Sequence, residues 1–286
     1  MNGKIHFLST GPSDCIIIES NGKFAMVDSG EDTEYPPNKP LCKLQGFEEQ
    51  VCEYLLKNCA DENGNVTLEF VLGTHCHSDH IGGFDTVINH PNIIVKKAYL
   101  KPYHEEGINS FERTQWDNLE VYTQMRNALN KNNVPVVTGF DEIIEKLGNL
   151  SIKFYNGKYE KHHFKTGENT NSVVTLVEDG VSRVLLAGDM NFHRYGKEKS
   201  IGKKVGKVDL LKVGHHCYEG SSSPYWLKSL KPNYAVITNS KKKADSNVLR
   251  RIKKYGGTEN IYLTVDSNGV IAEMTDKGIE IKTNIM

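Results

Sequence analysis

The sequence predicts an α/β fold with its helices outside packed sheets. Three observations carry this. Short apolar strands alternate with helical patterns, and they do so in two successive halves of the 286 residues. The strand Leu68–Gly73 runs straight into Thr74-His75-Cys76-His77-Ser78-Asp79-His80-Ile81-Gly82-Gly83, where four potential metal ligands fall within six positions. Two later strands also end in chemistry-bearing turns, Gly188-Asp189 and Gly214-His215-His216. Loops at the C-terminal ends of strands are where open α/β sheets bind ligands.

The elements follow in order. Strands are expected at Lys4–Ser9, Asp14–Glu19 and Lys23–Asp28, with Asn21-Gly22 as the hairpin turn between the last two. Glu31 to Pro40 carries three prolines and reads as a loop. Phe47, Val51, Tyr54 and Leu55 recur at helical spacing, so Gly46–Asn58 is expected to be an amphipathic helix. A short helix is expected from Phe84 to Ile88, then a strand at Ile93–Leu100. The longest helical pattern runs from Ile108 to Asn133, with Phe111, Leu119, Tyr122, Met125 and Leu129 as its buried stripe. Pro135 ends it, because the residue before proline is pushed out of helical conformation.

Strands follow at Val136–Thr138, Ile143–Leu147, Ser151–Tyr155, Ser172–Glu178, Arg183–Ala187 and Val208–Val213. A helix is expected to start at Ser223-Pro224. Then come the strand Tyr234–Thr238, a basic helix at Asp245–Tyr255, and three closing strands, Ile261–Val265, Val270–Met274 and Ile279–Thr283. No internal repeat interrupts the pattern, and one domain spanning 1–286 is expected.

Composition limits the function. A net charge of −1 gives no overall bias toward nucleic acid or membrane. The clusters Lys203, Lys204, Lys207 and Lys241–Lys243 read as solvated faces. Six cysteines without a CxxC pair fit free thiols in a reducing compartment. No run approaches the roughly 20 apolar residues of a membrane span. The N-terminus does not look like a signal peptide. A cytoplasmic location is the expectation, or a secreted one if an export signal has been removed.

Residues two apart in an extended segment point the same way. His75 and His77 therefore converge on one ion, while Asp79 and His80 turn toward a second. Imidazole with carboxylate suits zinc, with manganese or iron as rivals. The pattern His-x-His-x-Asp-His after an apolar strand and before Gly-Gly resembles the signature of the metallo-β-lactamase superfamily. That resemblance implies a metallo-β-lactamase-type α/β/β/α four-layer sandwich holding two zinc ions. It makes Asp28 a support beneath the metal loop and Asp189 the carboxylate shared by both ions. One of His215 and His216 completes the second ion's shell, with His216 preferred, and the other faces substrate. Asp79, Asp189, His215 and His216 form the catalytic group.

One departure stands out. Asn169 occupies the slot where members acting on lactams, thioesters and lactones usually carry a third histidine. An amide is a poor zinc ligand, so the departure weighs against a lactamase, lactonase or glyoxalase. His162 and His163 lie nearby and read as loop residues.

Asn169-Thr170-Asn171-Ser172, Gly188-Asp189 and Leu211–His216 with Ser221-Ser222-Ser223 resemble the hydrolase-like domain of competence proteins. Ile5-His6-Phe7, Glu19–Asp32, Thr74–Gly82, Glu112-Arg113 and Trp116–Leu119 resemble the catalytic module of phosphorylcholine esterases. The second resemblance implies a two-zinc phosphodiesterase acting on a small-molecule or cell-wall phosphodiester. A quaternary amine calls for aromatic rings, and Trp116, Tyr103 and Tyr218 are the candidates, with Tyr122 and Trp226 also near the loops. Two rivals stand beside this reading: a compact nuclease, and a metal-binding sensor without activity. The short gap between Asp189 and His215 leaves no room for the inserted domain of nucleases acting on long RNA.

Overall fold

The computed structural model describes residues 3–34, 36–39, 42 and 44–286. Tyr35 and Pro40 of the expected 31–40 loop fall outside the described residues.

The first half comprises β1 (Gly3–Phe7), β2 (Cys15–Ser20), β3 (Lys23–Ser29), α1 (Glu48–Asn58), β4 (Val66–Gly73), α2 (Ser78–Ile81), α3 (Phe84–Asn89), β5 (Ile93–Val95), β6 (Ala98–Leu100), α4 (Ser110–Gln115), α5 (Asn118–Lys131) and β7 (Val136–Val137). The second half comprises β8 (Ile144–Leu147), β9 (Leu150–Tyr155), β10 (Val174–Glu178), β11 (Arg183–Leu186), α6 (Glu198–Val205), β12 (Leu210–Lys212), α7 (Pro224–Leu230), β13 (Tyr234–Ile237), α8 (Ser246–Arg251), β14 (Asn260–Leu263), β15 (Val270–Thr275) and β16 (Gly278–Thr283).

Among the described residues the strands form two sheets. One runs β16-β15-β1-β2-β3-β4-β6-β7, with β5 pairing β4; the other runs β14-β13-β12-β11-β10-β9-β8. The last two strands of the chain thus cross back to extend the first sheet beside β1.

Three apolar clusters separate four layers. Ile5, Phe7, Ile18, Val27, Phe70 and Leu72 of the first sheet meet Leu150, Ile152, Phe154, Val184, Leu186 and Val236 of the second. The opposite face of the first sheet packs Ile17, Met26 and Val71 against Val51 and Leu55 of α1, Phe84 of α3, and Met125 and Leu129 of α5. The far face of the second sheet packs Leu185, Leu211 and Ala235 against Ile201 of α6, Trp226 and Leu227 of α7, and Val248 of α8. Period-2 alternation delivers one strand face to each layer, which is the α/β/β/α sandwich expected. No helix of the described residues is long and apolar enough to cross a membrane.

Four expectations need correction. The 108–133 helix is two helices, broken at Trp116, whose φ −116° and ψ 159° are extended. The break rotates the second helix, so Val121, Met125, Ala128 and Leu129 are buried, while Phe111 and Leu119 are exposed. The strand 93–100 divides into β5 and β6. Helix α6 was not expected, because Glu198-Lys199-Ser200-Ile201-Gly202-Lys203-Lys204-Val205 shows only two apolar residues; Gly202 lets the Trp226 ring approach its backbone. Tyr103 and Trp226 are structural: Tyr103 packs beside Tyr122 with ring centroids 6.0 Å apart, and Trp226 is 1% exposed.

Candidate metal centre

The metal-motif loop leaves β4 and closes into α2 against the end of β3. Gly82 permits this closure, since a Cβ there would sit 2.4 Å from the Asp32 backbone nitrogen and 2.5 Å from the Ser78 carbonyl. Asp28 ends β3 in the left-handed region, at φ 56°, and is fully buried. Its carboxylate accepts from the Thr74 backbone N–H at 2.8 Å and the Thr74 hydroxyl at 2.7 Å. It also lies 2.7 Å from His80 Nδ1.

The other half of the centre comes from the second sheet. Asp189 follows β11, and His215, His216 and Cys217 follow β12. These last three are all left-handed, at φ 52°, 46° and 65°. Each non-glycine residue there costs about 1–2 kcal/mol. Hydrogen bonds fix the turn: His215 N–H to the Gly188 carbonyl at 3.2 Å, Asn239 Nδ2 to the His216 carbonyl at 3.0 Å, and Ser221 Oγ to the Gly214 carbonyl at 2.8 Å.

These elements gather two donor sets, His75, His77, Asp189 and Asp79, His80, Asp189, His216, each with ligand atoms within 4.8 Å of one another. Asp189 belongs to both. His75 Nε2 and His77 Nδ1 are 3.1 Å apart; His80 Nε2 and His216 Nε2 are also 3.1 Å apart. His216 Nε2 lies 3.1 Å from Asp79 Oδ2 and 3.4 Å from Asp189 Oδ1.

The hydrogen-bond network fixes the tautomers. His80 Nδ1 faces Asp28, and His77 Nε2 faces Glu112 Oε1 at 2.7 Å. Carboxylates only accept, so both nitrogens carry the proton. The Thr74 hydroxyl donates to Asp28 and so accepts from His75 Nδ1, 3.0 Å away. The Thr238 hydroxyl donates to Asp14 Oδ1 at 2.6 Å and so accepts from His216 Nδ1 at 3.0 Å. In the neutral form that ligates metal, all four imidazoles turn a lone pair inward, and the inward nitrogens face one another in pairs. Asp189 Oδ1 is buried among them with no hydrogen-bond partner. Lone pairs held at 3.1 Å repel unless a cation lies between them. The donor set fits two divalent ions, with outer partners of the kind that orient metal-binding histidines.

Several supporting residues were missed from the sequence. Asp14 lies under His216 and pairs with the fully buried ammonium of Lys212, which also donates to the Gly188 carbonyl at 3.0 Å. Burial pushes the Asp14 carboxyl up, and the Lys212 ammonium beside it is the largest cause that brings it below its usual range instead. Ser172 Oγ accepts from the Asp189 N–H at 3.1 Å and lies 3.3 Å from His75 Nδ1. A lysine inside the apolar string Leu210-Leu211-Lys212-Val213 was the available signal, since lysine is almost never fully buried unless paired.

Asn169 lies in the turn 168–171 with its carboxamide oxygen buried and unpartnered, and Ser172 is the residue of this segment that reaches His75. His162 stacks on Tyr195 at 4.3 Å, outside both donor sets. A cavity of about 180 Å³ opens over the donors and is lined by His77, Asp79, Asp189, His215, His216, Glu31, Leu44, Trp116 and Tyr218, among others. Trp116 packs on His77 at 4.7 Å between ring centroids. Tyr103 does not line this cavity. His215 Nδ1 donates to the Glu219 carbonyl at 3.1 Å, which leaves its Nε2 an acceptor. Glu31 is 5% exposed; burial, reinforced by Asp79, pushes its carboxyl up to about 8.

Two sheets flanked by helices, with a histidine-aspartate cluster at the strand ends, define a four-layer sandwich with a candidate metal centre. A family model for the metallo-beta-lactamase superfamily matches residues 8–238, and the chain belongs to that superfamily. Recombination protein 2 of Haemophilus influenzae is 25% identical over 259 residues, which cover 88% of this chain and 26% of that protein. The chain thus spans about a quarter of that relative's length. The metallo-beta-lactamase fold protein YhfI from Bacillus subtilis superposes with a TM-score of 0.57 at 12% identity, covering 96% of this chain and 100% of that one. A variant of the CmlA beta-hydroxylase, a Streptomyces venezuelae protein, gives 0.51 at 12% identity, covering 92% and 52%. Likeness at this identity speaks for the fold alone.

Proposed function

We propose that the protein is a dinuclear metal-dependent hydrolase of phosphodiesters, with zinc as the expected metal and a phosphorylcholine ester as the substrate. The observation that carries the reading is Asp189 standing in both donor sets. His75, His77 and Asp189 would hold one ion, and Asp79, His80, His216 and Asp189 the other. When bound, such a pair of ions polarises a phosphoryl group and lowers the pKa of water toward about 7.

The chain's own groups do the rest. Glu112, Asp28 and the Thr238–Asp14 pair hold the outer ring nitrogens of His77, His80 and His216 and so aim the opposite nitrogens inward. His215 offers an acceptor nitrogen to the cavity, so it orients a water or hydroxyl rather than donating a proton. Leu44 and Trp116 give the cavity an apolar wall that limits water. Trp116 and Tyr218 supply the aromatic surface that suits a cationic head group. Asn169 and Ser172, where a third histidine is usual, favour phosphoryl over acyl substrates.

The test is a panel of nitrophenyl phosphodiesters, one bearing choline, beside a chromogenic β-lactam. Turnover of the phosphodiesters with the lactam inert is expected. The opposite pattern would overturn the reading. Trp116→Ala is expected to raise KM for the choline ester roughly 5- to 30-fold, the equivalent of about 1–2 kcal/mol for a partly desolvated cation–π contact. Trp116→Phe should recover part of it. An equal loss on a phosphodiester without the amine would mean that the ring serves only to pack His77.

A nuclease is the second reading. A groove of about 470 Å³ lined by Glu219, Asn247, Arg250, Arg251, Lys254 and Tyr255, with Pro224, adjoins the turn carrying His215 and His216. The relative in Haemophilus influenzae is named for recombination. If nucleic acid is the substrate, Arg250→Ala with Lys254→Ala should weaken oligonucleotide cleavage and flatten its salt dependence. Turnover of the choline ester should stay unchanged.

A further inference from the structure

The second sheet ends at β14, which pairs with β13 on one side and, among the described residues, with no strand on the other. Sheet edges are normally blunted by charges on the strand or by shortness. The other sheet ends follow that rule: β8 carries Glu145 and Lys146, β16 carries Glu280 and Lys282, and β7 is two residues long. The sequence of β14, Asn260-Ile261-Tyr262-Leu263, holds no charge.

Its outer backbone is largely unpaired. The Thr264 N–H bonds inward, to the Ile237 carbonyl at 2.9 Å. Backbone groups alternate in direction along a strand, so Ile261 and Leu263 turn theirs outward. The Leu263 carbonyl accepts from the Ser267 N–H at 2.9 Å. The Leu263 N–H and both backbone groups of Ile261 have no outer partner among the described residues.

Beside this edge a cleft of about 700 Å³ opens between β14 and α8, with the π-helical turn Ile252–Gly256 that continues α8. Its floor is aliphatic: Leu249, Ile261 and Leu263. Its rim is cationic: Lys241, Arg250, Lys253 and Lys254, all exposed. The stretch 241–254 carries seven cations and one carboxylate, in a chain whose net charge is −1. That carboxylate, Asp245, is taken up in capping α8. Among the described residues the rim has one ion pair, Lys253 with Glu259 at 3.9 Å, and both side chains are exposed, so it neutralises little. The cations stand at both ends of the strand. Glu259, beside Lys253, precedes β14, while Asp266, which accepts from the Lys241 backbone N–H at 2.6 Å, follows it.

We propose that β14 is a docking edge for an extended segment of a partner protein, aliphatic at its centre and acidic at both flanks, added as a further strand. Main-chain hydrogen bonds to Ile261 and Leu263 would hold it in register, and its central side chains would cover the aliphatic floor. Its flanking carboxylates would meet Lys241 at one end and Lys253 and Lys254 at the other. No aromatic ring lines the cleft, so nucleic-acid bases have nothing to stack on. A second copy of this chain would set the same cations against these. A lipid surface offers no partner in register for the outward N–H and C=O groups.

The probe is a fluorescein-labelled peptide of three valines between paired glutamates, titrated into full-length protein and followed by anisotropy. Hydrogen exchange across 260–263 is read by mass spectrometry. Saturable binding of one peptide per chain is expected, with slower exchange in that segment. N-methylation of alternate valines should abolish binding, because it removes strand donors and keeps the charge. Lys241→Glu with Lys253→Glu should weaken binding about 10-fold and leave bound metal and phosphodiester turnover unchanged. Both lysines line this cleft and not the groove beside the His215 turn, so the result is separate from the nuclease reading. Absence of peptide binding to folded wild-type protein would overturn the proposal. Equal binding of the N-methylated peptide would do the same, since it would mean charge attraction alone. So would displacement of the peptide by lower concentrations of oligothymidylate or phosphatidylserine vesicles than of unlabelled peptide.

Discussion

Asp189→Asn is expected to lower phosphodiester turnover about 10³-fold, at the upper end of what removing one electrostatic contact from an active site costs. It should also lower bound metal from two ions per chain to one or none. A carboxylate has charge and lone pairs enough for two cations, whereas a carboxamide offers one neutral oxygen. Asp189 Oδ1 stands 3.2 Å from His80 Nε2 and 3.4 Å from His216 Nε2, so the substitution acts at the middle of the cluster. The backbone N–H of residue 189 still donates to Ser172, and the turn should keep its shape. Elemental analysis of the purified variant, beside its circular dichroism spectrum, is the check. Full occupancy by two ions would remove Asp189 from its shared role and with it the central support for the proposed chemistry.

The donors were legible in the sequence because they lie in short contiguous strings at strand ends. Their outer partners were not. Glu112 reaches His77 from another helix, Asp14 and Thr238 reach His216 from two different sheets, and Ser172 reaches His75 across the sandwich. Such contacts join residues far apart in the chain, and no local spacing encodes them. The left-handed run from His215 to Cys217 was equally hidden, since none of these residues prefers that conformation and only the surrounding hydrogen bonds impose it.

The strands were legible for a related reason. Cys15–Ser20 and Val174–Glu178 are apolar runs bounded by turn residues, and the core they enter is two-sided, so β-branched residues recur. Helices were harder wherever the buried face is narrow. Helix α6 buries Ile201 and Val205 against α7 and shows solvent a row of lysines. In the 108–133 stretch the helical period continues across the break at Trp116, so periodicity alone joined two helices that the fold keeps apart. The break sets Trp116 on His77.

The largest stability effect is expected beneath the metal centre. Lys212→Met removes the ammonium that pairs with Asp14, a contact in which both side chains are at most 1% exposed. Breaking a buried pair by deleting one partner typically costs about 3–5 kcal/mol, because the remaining charge has no water to turn to. At roughly 2–4 °C per kcal/mol for larger domains, the melting temperature should fall by about 10 °C. The measurement belongs in chelator, so that metal binding does not mask the change. Methionine fills most of the lysine stem's volume, so a cavity contributes little. In Asp14→Asn with Lys212→Met no unpaired charge remains, and the amide oxygen can still accept from Thr238. That double variant should be more stable than Lys212→Met alone. If the two single losses instead simply add, the ion pair is not what Lys212 contributes, and its bond to the Gly188 carbonyl beside Asp189 is.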